Sequence, residues 1–283
     1  MKVEGRRTSE NVDDRRKIGG KTAGLGIGGI IIVGLLTWMM GGNPLDVVTE
    51  QLSNATQSST EYVPSAEEEA LAIFSSKILA GTEDVWKKEF EKMKRKYVPP
   101  KMVLFTRATN SGCGSASSQT GPFYCPADQT VYIDLSFFTQ MQSQLGAGGD
   151  FAYAYVIAHE VGHHVQYLLG TLREVSQKQS RLSKAESNRL NVRLELQADF
   201  YAGIWAYHDN KMYNSLEPGD IENGLNAASA IGDDRLQMRS QGYTVPDAFN
   251  HGTSAQRVRW LKKGASSGLV SDGDTFSPDY ASL

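Results

Sequence analysis

The sequence has little cysteine, little histidine and little net charge. Two cysteines and five histidines occur among 283 residues, and the formal net charge is -3. A chain of this length can bury a core without metals or disulfides, so its stability requires neither. The near balance of charge, with an isoelectric point near 6, gives no electrostatic basis for nucleic-acid binding. We therefore exclude nucleic acid as a partner.

Charge is absent altogether from one stretch near the N-terminus. Residues 22–40, TAGLGIGGIIIVGLLTWMM, are uncharged and follow a segment rich in lysine and arginine. About 20 apolar residues cross a bilayer as one helix, and the flanking positive charges predict a cytoplasmic N-terminus. A cleaved signal peptide would need a small-residue site, which TWMMGGNP lacks, and a core helix would show a polar face. We predict a single transmembrane anchor over residues 22–42.

This anchor sets the predicted organisation of the chain. Residues 1–21 form a basic cytoplasmic N-terminus, 43–64 a polar linker, 65–264 one folded domain and 265–283 a loose polar tail. The domain then lies on the extracytoplasmic, periplasmic side of the inner membrane. The sequence assigns no oligomeric state.

The two cysteines, Cys113 and Cys125, lie in a loop rich in glycine and serine. In an oxidising compartment they would close a small ring, which stabilises the fold by about 3 kcal/mol. In a reducing cytosol they would remain free thiols. Combined with the predicted topology, the sequence favours the disulfide.

Periodicity and capping residues predict an α+β domain that is mainly helical with a small sheet. A capping box at Ser65 begins a helix that stops at Gly81, and Thr82 begins another that ends before Pro99. Strands are predicted for KMVLFTRA and TVYIDLSFF. Long helices follow over Phe151–Leu169 and 180–209, and an amphipathic segment over 252–264.

The chemistry is concentrated in His159, Glu160 and His163, which form an H-E-x-x-H pattern in the first long helix. Residues four apart share a helix face, so both imidazoles can reach one Zn²⁺ while Glu160 lies beside the open coordination position. Zinc lowers the pKa of a bound water to about 7, and a neighbouring carboxylate can accept the proton. His164 lies about 100° away around the helix and is predicted to be a packing or surface residue.

A catalytic zinc needs a third protein ligand, which we assign to the second long helix. LELQADFYAG places Glu195 and Asp199 four residues apart. With Glu195 as ligand, Asp199 can accept a hydrogen bond from a ligand imidazole and fix its tautomer. Two carboxylates at this spacing also occur on solvated helix faces. The apolar neighbours of these two favour the metal site.

Four segments together resemble the neutral zinc metallopeptidase family of bacterial membrane proteins: SGCGSASSQTGPFYCPADQTVYIDLSFF, HEVGHHVQ, ELQADFYAG and HGTSAQRVRW. The central pair is also similar to membrane-associated gluzincins such as the CAAX prenyl proteases, where a glutamate in an E-x-Q-A-D setting completes the site. The likeness covers most of the chain, from EGRRTSENVDDRR onward. By position it implies a zincin-like fold, one Zn²⁺ held by His159, His163 and Glu195, and Glu160 as catalytic base.

Two further hypotheses concern the substrate. His251 precedes an amphipathic helix and could donate a hydrogen bond to the oxyanion formed on the scissile carbonyl; it could equally be a packed or capping histidine. The strand at Tyr132–Asp134 could align a peptide by edge addition.

These assignments predict a membrane-anchored zinc endopeptidase that acts on a peptide or protein substrate. Two alternatives remain open. One is a non-catalytic metal-binding membrane protein, against which the retained Glu160 argues, because structural zinc sites use four protein ligands and no spare base. The other is a zinc hydrolase of a non-peptide amide or ester.

Overall fold

The computed structural model describes residues 1–17 and 62–283. The predicted anchor over 22–42, and the linker up to residue 61, lie outside the described residues. Within the two described ranges, no helix is long and apolar enough to cross a bilayer.

The described residues form a mainly helical α+β fold with a small sheet, as predicted. The strands are β1 (Val12–Asp14), β2 (Lys101–Phe105), β3 (Ala108–Ser111), β4 (Gly114–Ser117), β5 (Phe123–Cys125) and β6 (Thr130–Asp134). The helices are α1 (Ala66–Lys92), α2 (Ser136–Leu145), α3 (Asp150–Leu169), α4 (Thr171–Gln179), α5 (Lys184–Tyr213), α6 (Asp220–Ala230), α7 (Asp233–Gln241) and α8 (Ser254–Ser267).

The main sheet has the strand order β1-β2-β6-β5, and β3 pairs with β4 in a separate hairpin. β1, β2 and β6 are parallel, whereas β5 is antiparallel to β6 at the edge. The predicted strand TVYIDLSFF ends at Asp134. Its last residues belong instead to α2, because the Asp134 carboxylate accepts a hydrogen bond from the Ser136 amide (3.0 Å) and turns the chain.

The prediction that Gly81 ends a helix is wrong, since α1 continues through it. Thr82 caps nothing: its hydroxyl donates to the Leu79 carbonyl within the helix (2.7 Å). Glycine at position 81 makes room for the side chain of Arg6, which packs against it. A Cβ at this position would lie 2.3 Å from Nη2 of Arg6.

Helices α3 and α5 pack closely, and this contact positions the metal-binding motif. A Cβ on Gly162 of α3 would lie 3.0 Å from the Ala198 carbonyl oxygen of α5, so a larger residue here would push the two helices apart. On its other side α5 packs against α8, where a Cβ on Gly264 would lie 2.1 Å from the Phe200 carbonyl oxygen. The histidines of α3 therefore face the acidic segment of α5.

The C-terminal residues were predicted to be loose, and this prediction is wrong. Arg193 of α5 donates hydrogen bonds to the carbonyls of Thr275 and Pro278, and Gln197 donates to that of Gly273 (2.9 Å). Thr275 is fully buried. Polar side chains of α5 thus hydrogen-bond the backbone carbonyls of the C-terminal tail. The composition of the tail alone does not predict this order.

Candidate active site

His159 and His163 lie one turn apart on α3, with ring centroids separated by 4.9 Å. Asp150 begins this helix and Gly170 ends it in a left-handed conformation (φ 93°), close to the predicted bounds. Both imidazoles face α5.

Glu195 of α5 joins the two histidines in a group of three potential metal ligands. Its Oε2 lies 3.1 Å from Nε2 of His159, and its Oε1 lies 3.5 Å from Nε2 of His163. One potential ligand atom from each residue falls within 4.8 Å of the others. The structure therefore brings together the three side chains proposed as ligands.

The outer nitrogens of both imidazoles are already engaged. Nδ1 of His159 donates to Oδ1 of Asp199 (2.8 Å), and Nδ1 of His163 donates to the Gln166 amide oxygen (2.9 Å). Because these oxygens can only accept, each Nδ1 carries a proton, and Nε2 of each ring, which faces Glu195, is the nitrogen left to bind a metal. Two imidazole nitrogens and one carboxylate, with fixed tautomers, fit Zn²⁺.

The electrostatics of the group also favour a cation. Burial lowers the pKa of His159, but the carboxylates of Asp199 and Glu195 outweigh it and raise that pKa to about 10. Burial raises the pKa of Glu195, but the two histidines outweigh it and hold the pKa well below its ordinary value. The carboxylates thus stabilise positive charge at this point.

Asp199 belongs to a buried network that sequence reasoning missed in part. Arg257 of α8 donates to both of its oxygens, from Nε to Oδ2 (2.8 Å) and from Nη2 to Oδ1 (2.9 Å). The Tyr155 hydroxyl also donates to Oδ1 (2.6 Å). Tyr155 could have been found, since it precedes His159 by four residues on the same helix face. Nothing in the sequence associates Arg257 with the site.

Gln166 was missed as well, although it follows His163 by three residues and so shares its helix face. Its amide nitrogen donates to the Leu194 carbonyl (2.7 Å) and to the Gln197 side chain (3.1 Å). These bonds orient the amide oxygen toward His163. Each candidate ligand histidine thus has its own partner, anchored in turn to α5 or α8.

Glu160 lies next to His159 and lines the same cleft, which encloses about 490 Å³. Glu160 is buried, with 8% of the residue exposed. The cleft is lined by residues of the disulfide loop and of the helices: Thr120, Gly121, Pro122, Phe123, Tyr124, Pro126, Phe137, Tyr155, Val156, His159, Glu160, His163, Leu172, Asn191, Leu194, Glu195, Ile231, Leu236, His251 and Arg257. A carboxylate, a metal-binding group and an apolar wall therefore share one cavity.

His251 opens onto this cleft from the loop before α8. Its Nδ1 lies 3.2 Å from Oδ1 of Asp233, and its side chain is 48% exposed. Asp233 fixes the loop, because its Oδ2 accepts from the backbone amides of Asn250, His251 and Gly252. Burial lowers the pKa of His251, but the hydrogen bond with Asp233 and the charge of Glu195 outweigh it and raise that pKa. No pattern in the sequence predicts that Asp233 belongs to the site.

Two other histidines take no part in the group. His164 is fully buried; its Nε2 donates to the Val98 carbonyl (2.7 Å) and its Nδ1 accepts from the Tyr124 hydroxyl (2.9 Å). His208 donates to the Gly268 carbonyl (2.8 Å). Both are packing residues.

The disulfide between Cys113 and Cys125 is confirmed. It closes the chain segment that forms one wall of the cleft, from Thr120 to Tyr124. The bond therefore constrains a surface of the site as well as the fold.

Comparison with known proteins identifies the family of the chain. A model of the family described as "Putative neutral zinc metallopeptidase" matches residues 1–276. The chain belongs to this family. "Uncharacterized protein YpfJ" of Escherichia coli (strain K12) is 51% identical over 286 residues, which cover 98% of this chain and 99% of that protein. "Uncharacterized protein Rv2575" of Mycobacterium tuberculosis (strain ATCC 25618 / H37Rv) is 45% identical over 191 residues, 64% of each chain.

No solved structure gives a significant match to the chain. The resemblance drawn from the sequence is confirmed by the family match, whose description suggests zinc and peptide hydrolysis. The assignment of individual residues to that chemistry rests on the geometry given above.

Proposed function

We propose that this protein is a zinc-dependent endopeptidase with one Zn²⁺ per chain, held by His159, His163 and Glu195. The observation that carries the proposal is the convergence of these three side chains, all within 4.8 Å of one another, beside Glu160 in one cleft. Three protein ligands leave a coordination position open, which is typical of catalytic rather than structural zinc sites.

Bound Zn²⁺ supplies Lewis acidity, which polarises a carbonyl and makes water acidic enough to give up a proton near neutral pH. Glu160 acts as general base. Its carboxylate accepts the proton of the attacking water as the oxygen bonds to the scissile carbonyl carbon, and then gives it to the amide nitrogen as the C–N bond breaks. The products are a carboxylic acid and an amine, and no covalent enzyme intermediate forms.

His251 stabilises the negative oxygen that develops on the carbonyl. Asp233 holds its Nδ1 and raises its pKa, so that Nε2 carries a proton over a wider pH range and can donate it as a hydrogen bond. Donors aimed at a developing oxyanion lower the barrier without reorganisation during the reaction. This role for His251 is supported by its position on the wall of the cleft.

The peptide binds along a different strand from the one predicted. The strand at Tyr132–Asp134 belongs to β6, which pairs with β2 along its whole length and with β5 over its first three residues, is buried throughout and contributes no residue to the lining of the cleft. β5 is the strand beside the cleft, and among the described residues its only strand partner is β6. A substrate strand paired with the outer edge of β5 would lie along Phe123 and Tyr124, which line the cleft.

The proposal includes attachment to the bacterial inner membrane with the domain on the extracytoplasmic side. The uncharged run over residues 22–40 supports the attachment. The disulfide supports an oxidising compartment, because such bonds are rare in the cytosol.

A comparison of wild type with Glu160→Gln tests the proposal. Both proteins are incubated with a mixture of denatured polypeptides, and the new peptide termini are identified by mass spectrometry. Wild type should generate new termini, and Glu160→Gln should generate few while keeping its zinc. Glu91→Gln, which alters an exposed carboxylate on α1, should behave as wild type.

Equal sets of termini from wild type and Glu160→Gln would refute the endopeptidase. Retained zinc without turnover would favour the metal-binding protein. Cleavage confined to small amide or ester substrates would favour the non-peptide hydrolase.

A further inference from the structure

The first 17 residues are built into the same fold as the candidate active site. β1 pairs in parallel with β2, in a register that places Val12 opposite Met102 and Asp14 opposite Leu104. The Met102 amide donates to the Asn11 carbonyl, and the Arg15 amide donates to that of Leu104 (each 2.8 Å). These bonds make β1 an edge strand of the main sheet.

A buried ion pair joins the same segment to α5. Nη1 of Arg6 donates to Oδ2 of Asp209 (3.0 Å), and Nη2 donates to Oδ1 (2.5 Å). The Asp209 side chain is only 1% exposed, and that of Arg6 is 9% exposed. A carboxylate buried to this extent requires a cation, and Arg6 supplies it.

Gly81 provides an independent sign of this contact. Glycine inside a helix is unfavourable relative to alanine, and α1 extends well beyond this position on both sides. An alanine Cβ would lie 2.3 Å from Nη2 of Arg6 and 2.7 Å from Oδ1 of Asp209. The glycine therefore makes room for the N-terminal segment.

Most of the arginines in this segment form ion pairs with acidic residues of the domain. Arg16 is 1% exposed; it pairs with Asp14 and Glu69 and donates to the Glu68 carbonyl. Arg7 donates to Glu83 and Asp84 of α1. The sequence predicts these arginines to be membrane-flanking charges of a cytoplasmic N-terminus. In the structure they stabilise the fold.

We infer that residues 1–17 lie on the same side of the membrane as residues 62–283, as a structural strand of the catalytic domain. A parallel strand pair and a buried ion pair cannot form across a bilayer. The chain between residues 17 and 62 therefore begins and ends on one side of the membrane. This excludes both the predicted cytoplasmic N-terminus and a single crossing by the predicted anchor, and it places residues 1–17 on the extracytoplasmic side with the domain. The family match begins at residue 1, so the segment and the domain are also matched together.

Labelling of intact cells tests this inference on the full chain. A cysteine replaces Thr8 in one variant and Ser266 in another, both exposed positions. The native cysteines are joined to each other, so the unmodified protein is the unlabelled control. A maleimide that cannot cross the inner membrane is added before or after that membrane is opened.

We expect the Thr8→Cys and Ser266→Cys proteins to react to the same extent under each condition. Reaction of both only after opening would still support the inference, while refuting the extracytoplasmic placement proposed above. Reaction of one before opening and the other only afterwards would overturn the inference. The assay requires no enzymatic activity.

A second measurement tests the contact itself. Gly81→Ala should lower the melting temperature of the full protein in detergent, because its Cβ meets the ion pair of Arg6. The loss should shrink in an Arg6→Ala background and persist in the control background Arg7→Ala. If the segment lay elsewhere, Gly81→Ala would instead raise the melting temperature by about 2–4 °C, the gain expected from helix propensity.

Discussion

Arg257 offers the sharpest test of how the site is held together. Its guanidinium makes two hydrogen bonds to Asp199, which is fully buried and fixes the orientation of His159. Arg257→Met removes the guanidinium paired with that buried carboxylate, and breaking a buried ion pair in this way costs about 3–5 kcal/mol. For a domain of this size the loss corresponds to a fall in melting temperature of about 6–20 °C.

The assay is thermal unfolding of the metal-free protein, followed by circular dichroism. Adding Asp199→Asn to Arg257→Met should recover part of the loss, because it removes the buried charge that has lost its guanidinium partner. Arg239→Met, at an exposed position of α7, is the matched control and should melt as wild type. In a separate titration, Arg257→Met should bind zinc about 10–100-fold more weakly, as expected for loss of an orienting partner. A melting temperature within about 2 °C of wild type would refute the reasoning.

Three further predictions concern other parts of the cleft. His251→Ala should lower the turnover rate for a cleaved peptide about 100-fold with zinc retained, whereas His208→Ala should not; equal rates would exclude His251 from catalysis. Burial lowers the pKa of His164 to about 4, so the unfolded state takes up a proton at a higher pH than the folded state does. In urea unfolding the metal-free protein should therefore lose about 3 kcal/mol of stability as the pH falls from 6.5 to 4, and metal-free His164→Gln should lack this loss. Replacing both Cys113 and Cys125 by alanine should cost about 3 kcal/mol in urea unfolding; an unchanged midpoint would contradict the stabilising role of the disulfide.

The local parts of the site could be predicted from the sequence. The i, i+4 spacing of His159 and His163 places them on one helix face whatever the rest of the fold, and the same spacing relates Glu195 and Asp199. The convergence of the two helices was a hypothesis. Gly162, which permits that convergence, lies within the motif, but the sequence alone does not show which residue it approaches.

Contacts between distant segments could not be predicted. Arg257 and Asp199 are 58 positions apart, and Arg6 and Asp209 are 203 apart. Glycine is a common helix-stop signal, and the sequence does not show that Gly81 makes room for Arg6, which lies on a distant segment. The sequence also does not predict that β5, and not β6, lies beside the cleft, since the strand order of a sheet depends on pairings between segments that chain order does not reveal.

The central claim is that three side chains hold one catalytic zinc. Elemental analysis of the purified full chain, together with X-ray absorption at the zinc edge, tests it most directly. We predict about one zinc per chain, with nitrogen and oxygen neighbours including two imidazoles, and most of the metal lost in Glu195→Ala. A wild-type protein that binds no zinc, or a Glu195→Ala protein that binds it as well as wild type does, would contradict the account.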